Sequence, residues 1–221
     1  MSINNFIDVD LRLKCPFTML VSGPSSSGKS SFVKELLLRR KVLFNSKPGK
    51  VFWFYKVHQD WYEATQRRGV VSEFIQGMCT TDWIKDNITD DNSTIVIDDM
   101  ALEATEDTAQ LFTVASHHYN VNIIFICQNL FTKNKYFRDI SINSTYIVIF
   151  KNPRDKSVIT NFAKQFMPGN TKPFLKAYME ATKKPHSYLL IDFYQKTNEH
   201  HRIISNYLSE NNDYPIIYKI D

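Results

Sequence analysis

The stretch Val21-Ser22-Gly23-Pro24-Ser25-Ser26-Ser27-Gly28-Lys29-Ser30 constrains this chain more than any other, because it satisfies G-x-x-x-x-G-K-[ST] at every fixed position. Phe17-Thr18-Met19-Leu20-Val21 comes before it, a short apolar run that reads as a buried strand. Phe32, Val33, Leu36 and Leu37 follow at helical spacing, and Arg39, Arg40 and Lys41 close the run, where positive charge suits the negative pole of a helix. Strand, glycine loop and helix in that order make a phosphate cradle. The glycines let backbone N–H groups turn inward and the helix N-terminus adds positive potential. Lys29 reaches the β- and γ-phosphates, and Ser30 offers a hydroxyl to Mg²⁺. The candidate phosphate-binding set is therefore Gly23, Pro24, Ser25, Ser26, Ser27, Gly28, Lys29, Ser30 and Ser31.

The rest of the chain must supply a sheet for that loop. Its 221 residues suit one α/β domain, read here as 1–221 with an N-terminal edge extension over 1–16 and a C-terminal tail over 194–221. Ile7, Val9, Leu11 and Leu13 alternate with charged residues, the mark of a half-exposed edge strand. Val51 to Tyr55, Thr94 to Ile97, Val121 to Cys127 and Thr145 to Phe150 are apolar on both faces, as parallel strands buried between helices are. Ser187 to Phe193 reads as a further strand, and Tyr214 to Ile220 as a short edge strand. Helical patterns fall at 60–68, 82–87, 101–118, 157–166 and 174–182, while 70–74 is ambiguous. Within 101–118, Leu111, Val114 and His118 share one helical face, and His117 and His118 cap its end. Strands alternating with helices predict a doubly wound, mainly parallel sheet, the P-loop NTPase class of α/β fold.

Two strand ends carry chemistry. Thr94-Ile95-Val96-Ile97 runs into Asp98-Asp99, the expected acidic half of a P-loop site: Asp98 to hold the Mg²⁺ water shell beside Ser30, Asp99 to orient an attacking water. Gln128-Asn129 stands at the end of the 121–127 strand, where an amide can touch a γ-phosphate or serve as a turn residue; spacing leaves both readings open. Lys133-Asn134-Lys135-Tyr136-Phe137-Arg138 interleaves basic and aromatic residues, which suits a nucleic-acid backbone, with Arg138 a candidate arginine finger; a solvated loop is the default reading of such a charge run. Arg154, after the 145–150 strand, lies on the strand-end edge where α/β sheets bind ligands. A net charge of +4 permits a nucleic-acid partner without requiring one. Cys15, Cys79 and Cys127 are far apart and in no metal spacing, which reads as reduced thiols. With no apolar run long enough to span a bilayer and no signal-peptide pattern, the expectation is a soluble, intracellular protein.

Taken together, Gly23 to Ser30, Ile97-Asp98-Asp99, Gln128-Asn129-Leu130-Phe131 and Phe150-Lys151-Asn152-Pro153-Arg154-Asp155-Lys156 resemble a genome-packaging ATPase of the FtsK–HerA superfamily. Ser116-His117-His118 and Ser187-Tyr188-Leu189-Leu190-Ile191-Asp192 extend the likeness, which is nearest to the small packaging ATPases of Polinton (Maverick) elements, adintoviruses and related double-stranded DNA viruses. The resemblance runs from about Thr18 to about Asp192. It implies that the Gln128 strand lies between the Lys29 and Asp98 strands, with Gln128 sensing the γ-phosphate. It also implies ATP and Mg²⁺ as cofactors, and a homo-oligomeric ring of five or six subunits that drives double-stranded DNA into a capsid. Docking on capsid or portal vertex proteins, an arginine finger acting across the subunit boundary (Arg138 or Arg154) and a place in the host cell or virion follow from it as well. The DNA contacts would fall on Lys133, Lys135 and Arg138. One departure from the pattern is Asp99, where many relatives carry Glu; the shorter side chain reaches less far.

Three other readings share the loop. A nucleotide or nucleoside kinase would need an arginine-rich lid, and no such cluster is present. A structural capsid or DNA-binding component that only binds nucleotide is another reading, and intact Lys29, Ser30 and Asp98 argue against it without ruling it out. A GTPase is weaker, since Asn-Lys-x-Asp is missing and Asp98 is followed by Asp99-Met100-Ala101.

Overall fold

The computed structural model describes residues 9–209 and 214–220. Among these residues nine strands form one sheet: β1 (Thr18–Ser22), β2 (Val51–Tyr55), β3 (Glu73–Gln76), β4 (Thr94–Asp98), β5 (Asn122–Cys127), β6 (Tyr146–Phe150), β7 (Tyr188–Asp192), β8 (Ile203–Ser205) and β9 (Ile216–Ile217). Their order across the sheet is β3-β2-β4-β5-β1-β6-β7-β8-β9. The pairs from β3 through β6 are parallel, and those from β6 to β9 are antiparallel. The predicted position of the Gln128 strand is observed: β5 lies between β1 and β4.

Alternate residues of the central strands feed two separate cores, which is why these segments are apolar on both faces. Leu20, Ile95, Ile97, Ile123, Phe125, Ile147 and Ile149 point into one. Met19, Val21, Val96, Ile124, Ile126, Val148 and Phe150 point into the other. Helix α1 (Lys29–Leu38) covers the second face through Phe32, Val33, Leu36 and Leu37, and α2 (Arg40–Leu43) follows it. The short helices α3 (Tyr62–Arg67) and α4 (Thr81–Asn87) link β2, β3 and β4. The first face is covered by α5 (Glu106–Gln110), α7 (Lys135–Ile142), α8 (Lys156–Phe166) and α9 (Thr171–Ala181), which bring Ala109, Phe137, Ile140, Phe162, Ala163 and Phe174 into the core. Register at the amino ends of the strands is pinned by buried Asn122. Its Oδ1 accepts from the Phe17 amide at 3.2 Å, and its Nδ2 donates to Asn92 O at 3.2 Å and Thr94 Oγ1 at 3.3 Å.

Several predicted elements are corrected. The alternating N-terminal segment is not a sheet edge: among the described residues Leu13 makes one isolated bridge with Phe44, and Ile7 lies outside them. Burial of Leu13 beside Phe17 and Phe44 explains its apolar pattern without a strand. The helix predicted over 101–118 begins at Glu106, behind a Thr105–Thr108 capping box, and passes through a π-helical turn at Leu111–Ala115 before α6 (Ser116–His118). That extra residue per turn rotates the face, so Leu111, Phe112 and Ala115 are buried while Val114 and His118 are exposed. The ambiguous 70–74 stretch contributes to β3, a parallel edge strand. The 194–221 tail carries β8, a strand too short to read from sequence, as well as the expected edge strand β9. The basic segment 133–138 is not a loop beyond Asn134. Asn134 accepts from the Tyr136 amide at 2.9 Å and caps α7, so Lys135 and Arg138 are helical.

Candidate functional site

The loop between β1 and α1 is shaped by two glycines. A Cβ on Gly23 would stand 2.6 Å from Phe150 Cβ and 2.8 Å from Ser27 Oγ, closer than packed carbon atoms allow. Gly28 has φ 105°, a left-handed conformation that side chains resist, and it turns the chain into α1. Ser27 closes the loop by donating its amide to Pro24 O at 3.2 Å, and Gly23 is tied to β5 by its amide on Cys127 O at 3.3 Å.

Lys29 lies across the inside of this loop. Its Nζ donates to Gly23 O at 2.7 Å and Pro24 O at 2.9 Å, and its side chain is buried. Burial pushes its pKa down, opposed by Cys127, Asp99 and Asp98. A cleft of about 680 Å³ opens in front of it, bounded by the phosphate loop, Ser30, Ser31, Asp98, Asp99 and Gln128. Glycine loop, acidic strand end and amide strand end, read as three separate signals in the sequence, are thus brought to one cavity at the carboxyl edge of the parallel strands.

The two acids differ sharply. Asp98, the last residue of β4, is 6% exposed, and its Oδ2 has no hydrogen-bond partner. Its pKa is pushed up to about 6, chiefly by burial and then by the charge of Asp99; the Trp53 indole and Lys29 act against that rise. Such an orphaned, buried carboxylate oxygen, on a residue that lines the cleft together with Ser30, fits a hard cation with oxygen ligands, such as Mg²⁺. Among the described residues no cluster of three or more His, Cys, Asp and Glu forms a separate metal site.

Asp99 is exposed and takes φ 58°, so its carboxylate turns away from the strand axis. Its amide donates to Ile126 O at 3.0 Å, which carries the residue across to the end of β5. There Gln128 Nε2 donates to Asp99 Oδ2 at 2.9 Å. Gln128 thus contacts a second candidate site residue from the bend after β5, where Asn129 Oδ1 accepts the Phe131 amide at 3.1 Å.

Arg138 and Arg154 are exposed and neither lines this cleft. Arg154 sits on the turn between β6 and α8, where Asn152 Oδ1 accepts the Arg154 and Asp155 amides at 3.1 and 3.3 Å. Asp155 caps α8 through the Ser157 amide at 3.0 Å. Lys133, Lys135 and Arg138 project from the start of α7. Their aromatic neighbours do not share that exposure: Phe137 is in the core against Phe125, and Tyr136 is half-buried.

Four residues bound the cleft that sequence reasoning did not single out: Lys34, Gln59, Trp61 and His186. Lys34 stands one turn after Ser30 on α1, a spacing the helical pattern contains, and its Nζ lies 4.0 Å over the Trp61 ring. Gln59 and Trp61 follow the carboxyl end of β2, where ligands of parallel sheets are expected. His186 arrives ahead of β7, which no local pattern marks as antiparallel.

No family model matches the sequence, and no curated protein matches it. Among solved structures the fold is similar to the genome packaging NTPase B204 from Sulfolobus turreted icosahedral virus 2. With ATP-gammaS that structure gives a TM-score of 0.55 at 13% identity, covering 82% of this chain and 94% of that one. With sulfate it gives 0.56 at 12% identity, covering 82% and 93%. ATPases 2 and 3 of EssC from Geobacillus thermodenitrificans give 0.52 at 11% identity, covering 90% of this chain and 41% of that one. The sheet order, the glycine loop and these neighbours define a P-loop NTPase fold.

Proposed function

We propose that this protein is an ATPase that hydrolyses ATP to move double-stranded DNA, packaging a viral or virus-like genome into a capsid. One observation carries the catalytic half of that reading: Lys29, Asp98 and the bonded pair Asp99–Gln128 meet at one cleft. The loop amides and Lys29 bind the phosphates. Ser30 and Asp98 would hold Mg²⁺, which supplies charge neutralisation on the β- and γ-phosphates. Asp99 takes the proton of the attacking water, and Gln128 both orients Asp99 and senses the γ-phosphate. The short reach of Asp99, compared with the Glu of many relatives, is offset by the left-handed backbone and the bond from Gln128 that aim its carboxylate.

The DNA-moving half rests on the sequence resemblance to packaging ATPases and on the similarity of fold to the packaging NTPase B204. In this reading the chain works as a homo-oligomeric ring inside an infected cell, docks on capsid or portal proteins, and supplies a finger across each subunit boundary. Arg154 is the first candidate for that finger, since its turn is held rigidly on the same sheet edge as the phosphate loop. ATP turnover measured with and without long duplex DNA tests the proposal. Stimulation by any duplex sequence, falling as salt rises, is the expected result. Turnover indifferent to DNA at low salt, in an assembled protein, would remove the translocase reading, and phosphate transfer to a small nucleotide would put a kinase in its place.

A further inference from the structure

A phosphate loop fixes only one end of a nucleoside triphosphate. Asp98, Asp99 and Gln128 stand at the ends of β4 and β5, on one side of β1 in the sheet. The reacting γ-phosphate must face them. The nucleoside therefore leaves the loop on the other side, toward β6 and β7.

On that side the segment leading into β7 crosses the phosphate loop. His186 Nδ1 lies 3.2 Å from the Ser27 carbonyl oxygen. A carbonyl only accepts, so Nδ1 is the donor in this bond, which leaves Nε2 and the ring face outside it. A Cβ placed on Gly28 would lie 3.3 Å from His186 Cβ, so the histidine rests directly on the loop. The residue is exposed, bounds the same cleft, and is held at φ 60°, a left-handed conformation uncommon outside glycine.

The other aromatic residue bounding the cleft is already engaged. Trp61 carries Lys34 Nζ 4.0 Å over its ring and donates its indole N–H to Gln59 Oε1 at 2.6 Å. Its edges meet Trp53, Tyr62 and Phe74 at 5.3, 4.6 and 5.8 Å between centroids. It also stands near β2, on the side of the acids.

We propose that His186 is the nucleobase contact of this cleft, its imidazole face taking the purine ring of the bound nucleoside triphosphate. The Ser27 bond holds the ring in place while the loop grips the phosphates, so one residue links base and phosphate recognition. This inference rests on the nucleotide-binding reading above.

Calorimetric titration of the full chain with ADP and with inorganic tripolyphosphate, both with Mg²⁺, separates the two. The wild-type protein should bind both ligands. His186→Ala should weaken ADP by about tenfold, the size of one lost stacking contact, and leave tripolyphosphate within about twofold. His186→Phe, which keeps a flat ring, should hold ADP within about threefold of wild type. Trp61→Ala should leave the ratio of ADP to tripolyphosphate affinity unchanged. Unchanged ADP binding by His186→Ala overturns the proposal, as does an equal loss of both ligands, which would make His186 a support for the loop. A fall in that ratio on Trp61→Ala alone would move the base to the opposite wall. Failure of the wild type to bind either ligand would overturn the nucleotide-binding reading itself.

Discussion

Gln128 donates from Nε2 to Asp99 Oδ2 across 2.9 Å, joining the ends of two neighbouring strands at the mouth of the phosphate loop. This bond fixes where the Asp99 carboxylate points, because the backbone at φ 58° turns it out of β4 and leaves it exposed. In the proposed reaction, a water held by Asp99 would be positioned by Gln128 as well.

The two residues should separate binding from chemistry. Asp99→Asn is a clean variant, since Asn tolerates the left-handed conformation and still offers an oxygen to Gln128. It should bind MgATP normally and lower kcat by about 10²- to 10⁴-fold, the range for loss of a general base. Gln128→Ala should lower kcat by about a hundredfold with little change in ATP affinity. Rapid-quench kinetics beside equilibrium binding reads both. A large loss of MgATP affinity in Asp99→Asn would place that carboxylate in the metal shell.

Asp98 should show the opposite balance. Its buried carboxylate has no partner for Oδ2, and its pKa is raised to about 6, so the ionised form destabilises the metal-free fold. The sign follows from linkage: a carboxyl that binds its proton more tightly when folded loses stability as pH rises from the unfolded value through 6. Asp98→Asn removes that penalty. With chelator present it should melt on the order of 5 °C above wild type at pH 8, from about 2–3 kcal/mol, and the gap should narrow to about half near pH 5 and close only below the unfolded value, under about pH 4. The same variant should lose Mg²⁺-dependent nucleotide binding. A variant that melts lower than wild type at pH 8 would mean that Asp98 has a stabilising partner as an anion.

The central sheet was legible because its strands obey a local rule. Val51 to Tyr55, Thr94 to Ile97 and Val121 to Cys127 are apolar on both faces, and a strand buried between two helical layers has no polar face to show. Lys29, Asp98 and Gln128 were legible because each sits at a strand end beside a recognisable pattern. What escaped depends on distant partners. Ile203–Ser205 is too short to announce a strand and forms one because β7 offers an antiparallel edge. His186 lies more than 150 positions from the Ser27 carbonyl it contacts, a separation no local period reports. The π-turn at Leu111–Ala115 broke a 3.6-residue pattern by one residue, and with it the expected face of Val114.

The start of α7 offers a test of DNA contact that leaves the cleft untouched. Lys133 and Lys135 are exposed, whereas Phe137 anchors the helix in the core, so the charges can be removed without unpacking it. The double variant Lys133→Ala, Lys135→Ala should keep its basal ATPase rate and lose much of its stimulation by duplex DNA. If both lysines meet phosphates, the salt slope of DNA binding should fall by about 2, near 0.9 for each contact. An unchanged slope would assign the DNA contact to another surface.

Subunit mixing tests the finger. Lys29→Ala removes the buried cation that holds Gly23 O and Pro24 O, and with it the phosphate charge partner, so turnover should vanish while the sheet stays folded. Such a subunit still carries Arg154. An Arg154→Ala subunit keeps its own phosphate loop and acids, since Arg154 does not line the cleft of its own chain. If Arg154 reaches a neighbour's γ-phosphate, each variant alone is inactive, and a mixture recovers part of the wild-type rate at boundaries where an intact arginine faces an intact loop. An even mixture places that pairing at about a quarter of boundaries if subunits assort at random in a ring, which sets the recovery to look for. Arg138→Ala alone should retain hydrolysis, so mixing it with Lys29→Ala has no lost activity to restore; its position on α7 belongs with Lys133 and Lys135 instead. Recovery with Arg138→Ala and none with Arg154→Ala would exchange the two roles.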